Sequence, residues 1–425
     1  MKSSTRGLLD WLYRPPFPAD WEKSDLYNLA IWLNGMAFRD FQFADAGKPI
    51  IKIAEIKNGI TGQTKFTMSE YDPAYYIKPG DMLFAWSGQP DTSIDVYWWR
   101  GPEGWLNQHI FKVTPSPKCH PVFFYYLLKY LKPNFVAIAR NKQTTGLGHV
   151  TVRDLSNMSV GIPDRRTQKA IAHILGTLDD KIELNRQMNA TLEAIARALF
   201  QSWFVDLDPV RAKAEGRQPA GMDAETAALF PAAFVDSELG KIPKGWDVKT
   251  VGEVCEFAYG ESLKEDKRRS GSVPVYGSNG QIGWHDQARV KGPGVVIGRK
   301  GNAGTVTWSQ SEFFPIDTTF YVVPRGCISM YYLFHALSLL DLPSLGADSA
   351  VPGLNRNMAY QSKILVPDTR IVDAFDKQVS DITAKVALND SESRTLAALR
   401  DALLPKLISG EIEVKAIAEP METTK

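Results

Sequence analysis

Cysteine is scarce: Cys119, Cys255 and Cys327 are the only three in 425 residues, and they lie far apart. That argues against a disulfide framework and against a zinc site, both of which need ligands at close, recurring spacings. The six histidines, from His109 to His335, are equally scattered, so no metal is expected. Surplus charge is missing as well. Lys+Arg (49) nearly balance Asp+Glu (48), for a net charge of +1, and nucleic-acid binding would have to rest on local basic patches. The longest apolar runs, residues 121–131 and 330–340, are too short and interrupted to span a bilayer. The first residues lack a signal-peptide layout, so a cytoplasmic protein without a membrane partner is expected.

Catalytic motifs are also wanting. Gly298-Arg299-Lys300-Gly301-Asn302-Ala303-Gly304 is glycine-rich. It lacks the Gly-Lys-Ser/Thr ending that holds a magnesium-bound phosphate, and reads as a turn whose backbone approaches something closely. Asp72-Pro73-Ala74-Tyr75 is similar to the Asp-Pro-Pro-Tyr tetrapeptide of amino-methyltransferases. The second proline and the accompanying glycine-rich cofactor motif are absent, and Asp-Pro commonly opens a turn. No catalytic residue is assigned.

What is present is a stretch that occurs twice. Laying Pro163 on Pro367 without a gap places Asp164 on Asp368 and Arg166 on Arg370. Ala170, Lys181, Leu184, Asn185, Thr191, Leu192, Ala194, Ala198 and Leu199 then each meet an identical residue. Pro followed by Asp suits a helix start, since proline lacks the donor the first turn leaves unused and a carboxylate suits the positive end. Within the stretch Ile171, Leu175, Leu178, Ile182, Asn185, Asn189, Leu192, Ala196 and Leu199 alternate steps of four and three, the spacing of a coiled-coil seam. Phe375, Val379, Ile382, Val386, Asn389, Ser393, Leu396 and Leu403 repeat it, with Arg400 as the charged exception. Two antiparallel helices, residues 163–205 and 367–409, are expected, with Asn185 and Asn389 within about one layer of each other and fixing register. The alternatives are that each helix is the core helix of its own domain, and that both asparagines sit on a solvated rim.

The rest of the chain is a domain-plus-helix unit written twice. Trp21, Leu26 and Leu29 match Trp246, Val251 and Val254. The turn before Met82-Leu83-Phe84 matches that before Val295-Val296-Ile297, Asn107-Gln108-His109 matches Asp317-Thr318-Thr319, and Gly146-Leu147 matches Gly353-Leu354. The expected fold is α+β. It has two similar domains (1–159 and 245–364), two long antiparallel coiled-coil helices (160–205 and 365–412) and an internal pseudo-two-fold. A proline-broken linker of short helices and turns (206–244) and a tail (413–425) complete it. Loops carrying side chains that bond bases and phosphates recur in both domains. In the first they are Trp86, Ser87, Gln89, Asn107, Gln108, His109, Arg140, Lys142, Gln143, Thr144 and Thr145. In the second they are Tyr276, Ser278, Asn279, Gln281, Arg299, Lys300, Asn302, Asn355, Arg356 and Asn357, with Lys264, Lys267, Arg268 and Arg269 as a basic run.

These residues resemble the DNA-specificity subunit of type I restriction-modification enzymes over nearly the whole chain. Ile162-Pro163 followed by Gln168 and Ile171 looks like that family's helix start, and Asn185 to Leu199 its central helix. Trp203-Phe204-Val205-Asp206 through Arg211 resembles its mid-chain junction, Gly240 to Trp246 its entry to the second domain, and Leu404 to Ile412 its C-terminal signature. The second copy departs from the helix start, with Val372 and Asp373 where the first has glutamine. The resemblance implies two target-recognition domains that each read half of a bipartite double-stranded DNA sequence, with the helices as a ruler between them. It implies docking of two methyltransferase subunits and of restriction-translocase subunits. The chain would bind no cofactor; S-adenosylmethionine, ATP and magnesium would belong to the partners. The alternatives in other classes are a DNA adenine methyltransferase and a scaffold that does not bind DNA.

Overall fold

A computed structural model describes residues 12–143, 146–326, 328–346 and 353–414. Thr144, Thr145 and Cys327 lie outside the described residues. The chain divides into two compact units, residues 1–183 with 394–425, and residues 184–393.

The first unit is built on an antiparallel sheet of β1 (Ala30–Asn34), β2 (Met82–Ala85), β3 (Asp95–Trp98) and β4 (Ile110–Pro115), in the spatial order β1-β4-β2-β3. Successive strand residues face opposite sides, and here both sides are covered. Met82, Phe84, Phe111 and Val113 enter a core shared with the helices Pro121–Tyr130 and Lys132–Asn141. Leu83 and Ile110 enter another with Ile51, Ile77, Trp99 and Leu106, beneath a smaller sheet of Lys48–Ile51, Phe66–Thr67, Tyr76–Ile77 and Gly104–Leu106. Strand β2 is therefore buried at every position, and each of its large side chains contributes roughly 1.5–3 kcal/mol by leaving water. An outer pair, Glu22–Asp25 with Ser159–Ile162, leads into the first long helix, α1 (Arg165–Phe200).

The second unit repeats this plan. Strands β5 (Cys255–Tyr259), β6 (Gly294–Gly298), β7 (Val306–Ser309) and β8 (Thr319–Pro324) take the order β5-β8-β6-β7, and the outer pair is Asp247–Thr250 with Lys363–Val366. Trp98 stacks on Tyr125 in one unit and Trp308 on Tyr331 in the other, at 5.3 and 4.8 Å. Strand registers give the residue correspondence directly. Phe84 opposes Phe111 and Ile297 opposes Phe320, while Phe111 opposes Asn34 and Phe320 opposes Tyr259. The correspondence expected around Trp21 and Trp246 holds, since Glu22 opposes Ile162 as Asp247 opposes Val366. Two others are corrected. His109 corresponds to Thr318 rather than Thr319, and Gly353-Leu354 to His149-Val150 rather than Gly146-Leu147. The polar triplets look alike, but hydrophobic burial sets the register, and a one-residue slip would turn Phe320 to the wrong face.

Asp164 accepts hydrogen bonds from the N–H groups of Arg166 and Thr167 at 2.8 and 3.1 Å, and Asp368 one from Arg370 at 2.9 Å, capping α1 and the second long helix, α2 (Thr369–Ile408). A π-helical turn, Gln201–Val205, continues α1. The linker forms the short helices Asp208–Ala214 and Ala224–Leu229, as its prolines suggest, and also a hairpin of Phe234–Ser237 with Gly240–Pro243 that its composition did not signal.

Within the first unit, Ile171, Ala172 and Leu175 of α1 share the main core with Leu407 and Ile408 of α2. Farther up α1, Asp179 accepts hydrogen bonds from Tyr126 Oη at 2.6 Å and from the Arg400 guanidinium at 2.5 Å. The charged exception in the seam is thus neutralised in place. Within the second unit, Ala196 and Phe200 pack with Ile371, Phe375 and Val379. The middle of that seam is polar. Asn185 Nδ2 donates to Glu392 Oε2 at 2.8 Å, Asn189 Nδ2 to Asp390 Oδ1 at 2.7 Å, and Asn389 Nδ2 to Asn189 Oδ1 at 2.8 Å. In each unit the partner number falls as the α1 number rises, so the helices run antiparallel. Asn185 and Asn389 are 0% and 1% exposed, which removes the rim alternative. All fourteen proposed spacer residues, including Leu178, Ile182, Leu192, Leu199, Ile382, Val386, Leu396 and Leu403, are buried or half-buried.

Candidate nucleic-acid interface

In the first unit the ends of β1, β2 and β4 converge. Trp86, just past β2, is fixed by two backbone bonds: its N–H donates to the His109 carbonyl at 3.1 Å, and its carbonyl accepts from Val150 at 2.8 Å. Its ring lies against Phe111 at 5.7 Å and His109 at 5.3 Å, and its Nε1 donates to Asn34 Oδ1 at 2.8 Å. Ser87 Oγ lies 3.1 Å from His149 Nδ1. His109 has a positive φ of 77°, uncommon for a residue with a side chain. Burial first, then the neighbouring His149, holds its pKa below the usual range, so the imidazole is neutral at pH 7. Asn107 and Gln108 are anchored through their N–H groups to Ile51 and Met36 at 3.0 and 2.7 Å.

The flanking residues are more committed. Gln89 precedes the short helix Pro90–Ser93, whose Asp91 pairs with Arg140. Lys142 reaches Asp154 at 2.5 Å, and Asp154 also caps the helix Val152–Asn157 through Thr151. Burial pushes the Asp154 pKa up, but the hydrogen bonds from Lys142 and Thr151 outweigh that and hold it below the usual carboxylate range. Gln143 bonds the Arg140 carbonyl through its N–H at 3.2 Å.

The second unit holds the corresponding frame. Arg299, just past β6, donates its N–H to the Thr318 carbonyl at 2.8 Å and accepts at its own carbonyl from Leu354 at 2.9 Å. These are the Trp86 bonds with new side chains. The Arg299 guanidinium lies over Phe320, the counterpart of Phe111, at 5.8 Å, and over Tyr259, the counterpart of Asn34, at 4.9 Å. Arg356 also lies over Tyr259, at 4.9 Å. A Cβ on Gly298 would meet the Asn302 carbonyl oxygen at 2.1 Å, so the glycine-rich segment is a tight turn carrying Arg299, Lys300 and Asn302. Ser278 and Asn279 form the hairpin turn beside it, with Ser278 Oγ 3.4 Å from a Cβ placed on Gly301. Asn355 is committed as a cap, accepting from the N–H groups of Asn357 and Met358 at 3.1 and 3.2 Å.

Two candidates stand apart. Tyr276 is only 8% exposed, its ring edge-on to Phe313 in a small core, because its strand needs an apolar anchor there. Gln281 lies on the exposed strand of that hairpin. Three contributors were missed: Asn34, His149 and Tyr259. Each is a lone residue at a strand end, and only the corrected strand correspondence pairs Asn34 with Tyr259. Asp72 caps a single turn by accepting from Ala74 N–H at 2.9 Å, the turn-opening use. Gln168, 2% exposed, accepts from His120 N–H at 2.7 Å and donates to the Pro163 carbonyl at 2.9 Å, while its counterpart Val372 is buried among apolar groups. The departure of the second copy at that point is thus a change of internal packing.

Among the described residues, no cluster of His, Cys, Asp and Glu is placed to hold a metal, and no helix is long and apolar enough to cross a membrane.

The family described as Type I restriction modification DNA specificity domain matches residues 18–194 and 243–389. Among similar proteins, the type I restriction enzyme HindI specificity subunit of Haemophilus influenzae is 26% identical, over 85% of this chain and 90% of its own length. The MjaIX specificity subunit of Methanocaldococcus jannaschii is 22% identical, over 94% and 95%. A crystal structure of the S subunit of a type I restriction-modification system from M. genitalium shares the fold, with a TM-score of 0.54 at 18% identity over 91% of this chain and 96% of that one.

Proposed function

The chain belongs to the type I restriction modification DNA specificity family, and from that membership we propose that its two units each read one half of a bipartite double-stranded DNA target. The observation that carries this reading is the shared frame. The same backbone bonds, on the same strand ends, hold Trp86 in one unit and Arg299 in the other. A common scaffold with different side chains is what reading two different half-sites requires, since base edges are distinguished by the groups presented to them. The candidate residues around Trp86 and His109, and around Arg299, Lys300 and Asn302, supply those groups.

The paired helices set the spacing between the half-sites and dock the partners. Leu184 and Ile195 on α1 are 52% and 50% exposed, and their repeat counterparts Leu388 and Leu399 on α2 are 65% and 47% exposed. Eleven residues bring a helix back to nearly the same face, so each helix carries an equivalent pair of exposed apolar residues outside the seam. Two equivalent pairs suit two copies of one partner, the methyltransferase subunit, with restriction-translocase subunits joining that assembly. The chain itself is non-catalytic and works in the cytoplasm. S-adenosylmethionine, ATP and magnesium are bound by the partners. Titrating S-adenosylmethionine onto the isolated chain and onto its complex with methyltransferase subunits tests this: binding is expected only in the complex, and stoichiometric binding by the chain alone would favour the methyltransferase reading.

A further inference from the structure

In the second unit the side chains of Arg299 and Arg356 lie against the ring of Tyr259, each 4.9 Å from its centroid, and Tyr259 remains 49% exposed. One guanidinium nitrogen of each is engaged by a backbone carbonyl: Arg299 donates to Asp317 at 3.0 Å and Arg356 to Phe257 at 3.4 Å. Neither arginine forms an ion pair among the described residues. Arg269, Arg289 and Arg325 of the same unit do, with Asp286, Glu261 and Glu256. The two guanidinium groups are thus held in place without being neutralised, and each keeps nitrogens free for an outside acceptor. Lys300, next in the chain to Arg299, is exposed, and an ammonium on a flexible stem suits a phosphate contact.

An immobilised guanidinium fork matches the O6 and N7 acceptors that guanine presents in the major groove, and a ring face under it restricts the fork to few orientations. Resting on the reading of this unit as a half-site reader, we infer that the Arg299–Tyr259–Arg356 group reads a guanine in the second half-site, while Lys300 contacts phosphate.

The test uses the complete complex with its methyltransferase subunits, the wild-type target, and duplexes with each base pair of the second half-site, A·T and G·C alike, replaced singly. Arg299→Ala and Arg356→Ala are compared with Lys300→Ala and Tyr259→Phe. Wild-type complex should prefer the G·C duplex roughly tenfold to a hundredfold at one position, and at least one arginine variant should lose that preference there alone. Lys300→Ala should weaken all duplexes alike and reduce the salt dependence, and Tyr259→Phe, which keeps the ring, should retain discrimination. Arginine variants that weaken every duplex equally would overturn the guanine assignment and leave half-site reading intact. A wild-type complex indifferent to all second half-site replacements would instead overturn half-site reading itself.

Discussion

The buried asparagines in the seam allow a thermodynamic test of the helix pairing. Asn389 donates to Asn189 at 2.8 Å in a layer where Asn389 is 1% and Asn189 8% exposed. Asn189→Leu leaves the Asn389 amide buried without its acceptor, and Asn389→Leu leaves Asn189 Oδ1 without its donor. Each orphan costs about 1–3 kcal/mol. Taking about 2 kcal/mol, either single variant should lower the midpoint of the second unit by about 4–8 °C, at about 2–4 °C per kcal/mol for a unit of this size. The double variant removes both partners of the buried Asn389–Asn189 bond and takes from Asp390, which is exposed, its Asn189 donor; replacing both partners of a buried bond by apolar groups is often neutral or stabilising. It should therefore return to within about 1 kcal/mol of wild type, a coupling of about 3 kcal/mol or more. Urea unfolding followed by circular dichroism and by tryptophan fluorescence supplies the four free energies. Effects that add to within about 0.5 kcal/mol would show that the two side chains do not meet and that the seam register is wrong.

Two further outcomes follow from the same structure. Inserting one heptad at matching positions beside Asn185 and Asn389 keeps the seam in phase and adds about 10 Å to each helix; methylation of DNAs differing only in spacer length should shift its optimum by about three base pairs at about 3.4 Å each, and an unchanged optimum would refute the ruler. His335 is buried and stacked on Phe200 at 5.3 Å, and burial first, then Arg197, lowers its pKa from 6.5 to about 4. A depressed folded pKa means that its stabilising contribution is complete above pH 6.5 and lost as pH falls toward 4, about 2 kcal/mol by pH 5. His335→Phe should lack that part of the acid slope, and identical slopes in both proteins would contradict it.

The helices were legible because a seam is a repeated constraint: most third or fourth positions from Ile171 and from Phe375 are apolar, and the polar or charged ones, Asn185, Asn189, Asn389, Ser393 and Arg400, each find a partner. The strands were legible in kind, and their correspondence only in part. His109 resembles Thr319 in its polar surroundings, but ladder position follows from which of Phe111 and Phe320 is buried on the helix side. The interface was legible in outline, since loops rich in Asn, Gln, Arg and Lys stand out. Its interior was not. Tyr276 reads as a loop aromatic and is core, Lys142 reads as a free cation and is bound to Asp154, and Tyr259 ends an ordinary strand until two arginines converge on it. Each of those depends on long-range contacts that spacing along the chain does not record.

The central claim is that each unit reads its own half of the target, and the direct measurement is an exchange of residues 1–159 for those of a relative with a different specificity. The hybrid, assembled with its methyltransferase subunits, is expressed in a host and its modified adenines are mapped across the genome. One half-site should change to that of the relative while the other half-site and the spacer stay as they were. A hybrid in which both half-sites change together, or neither does, would contradict the account.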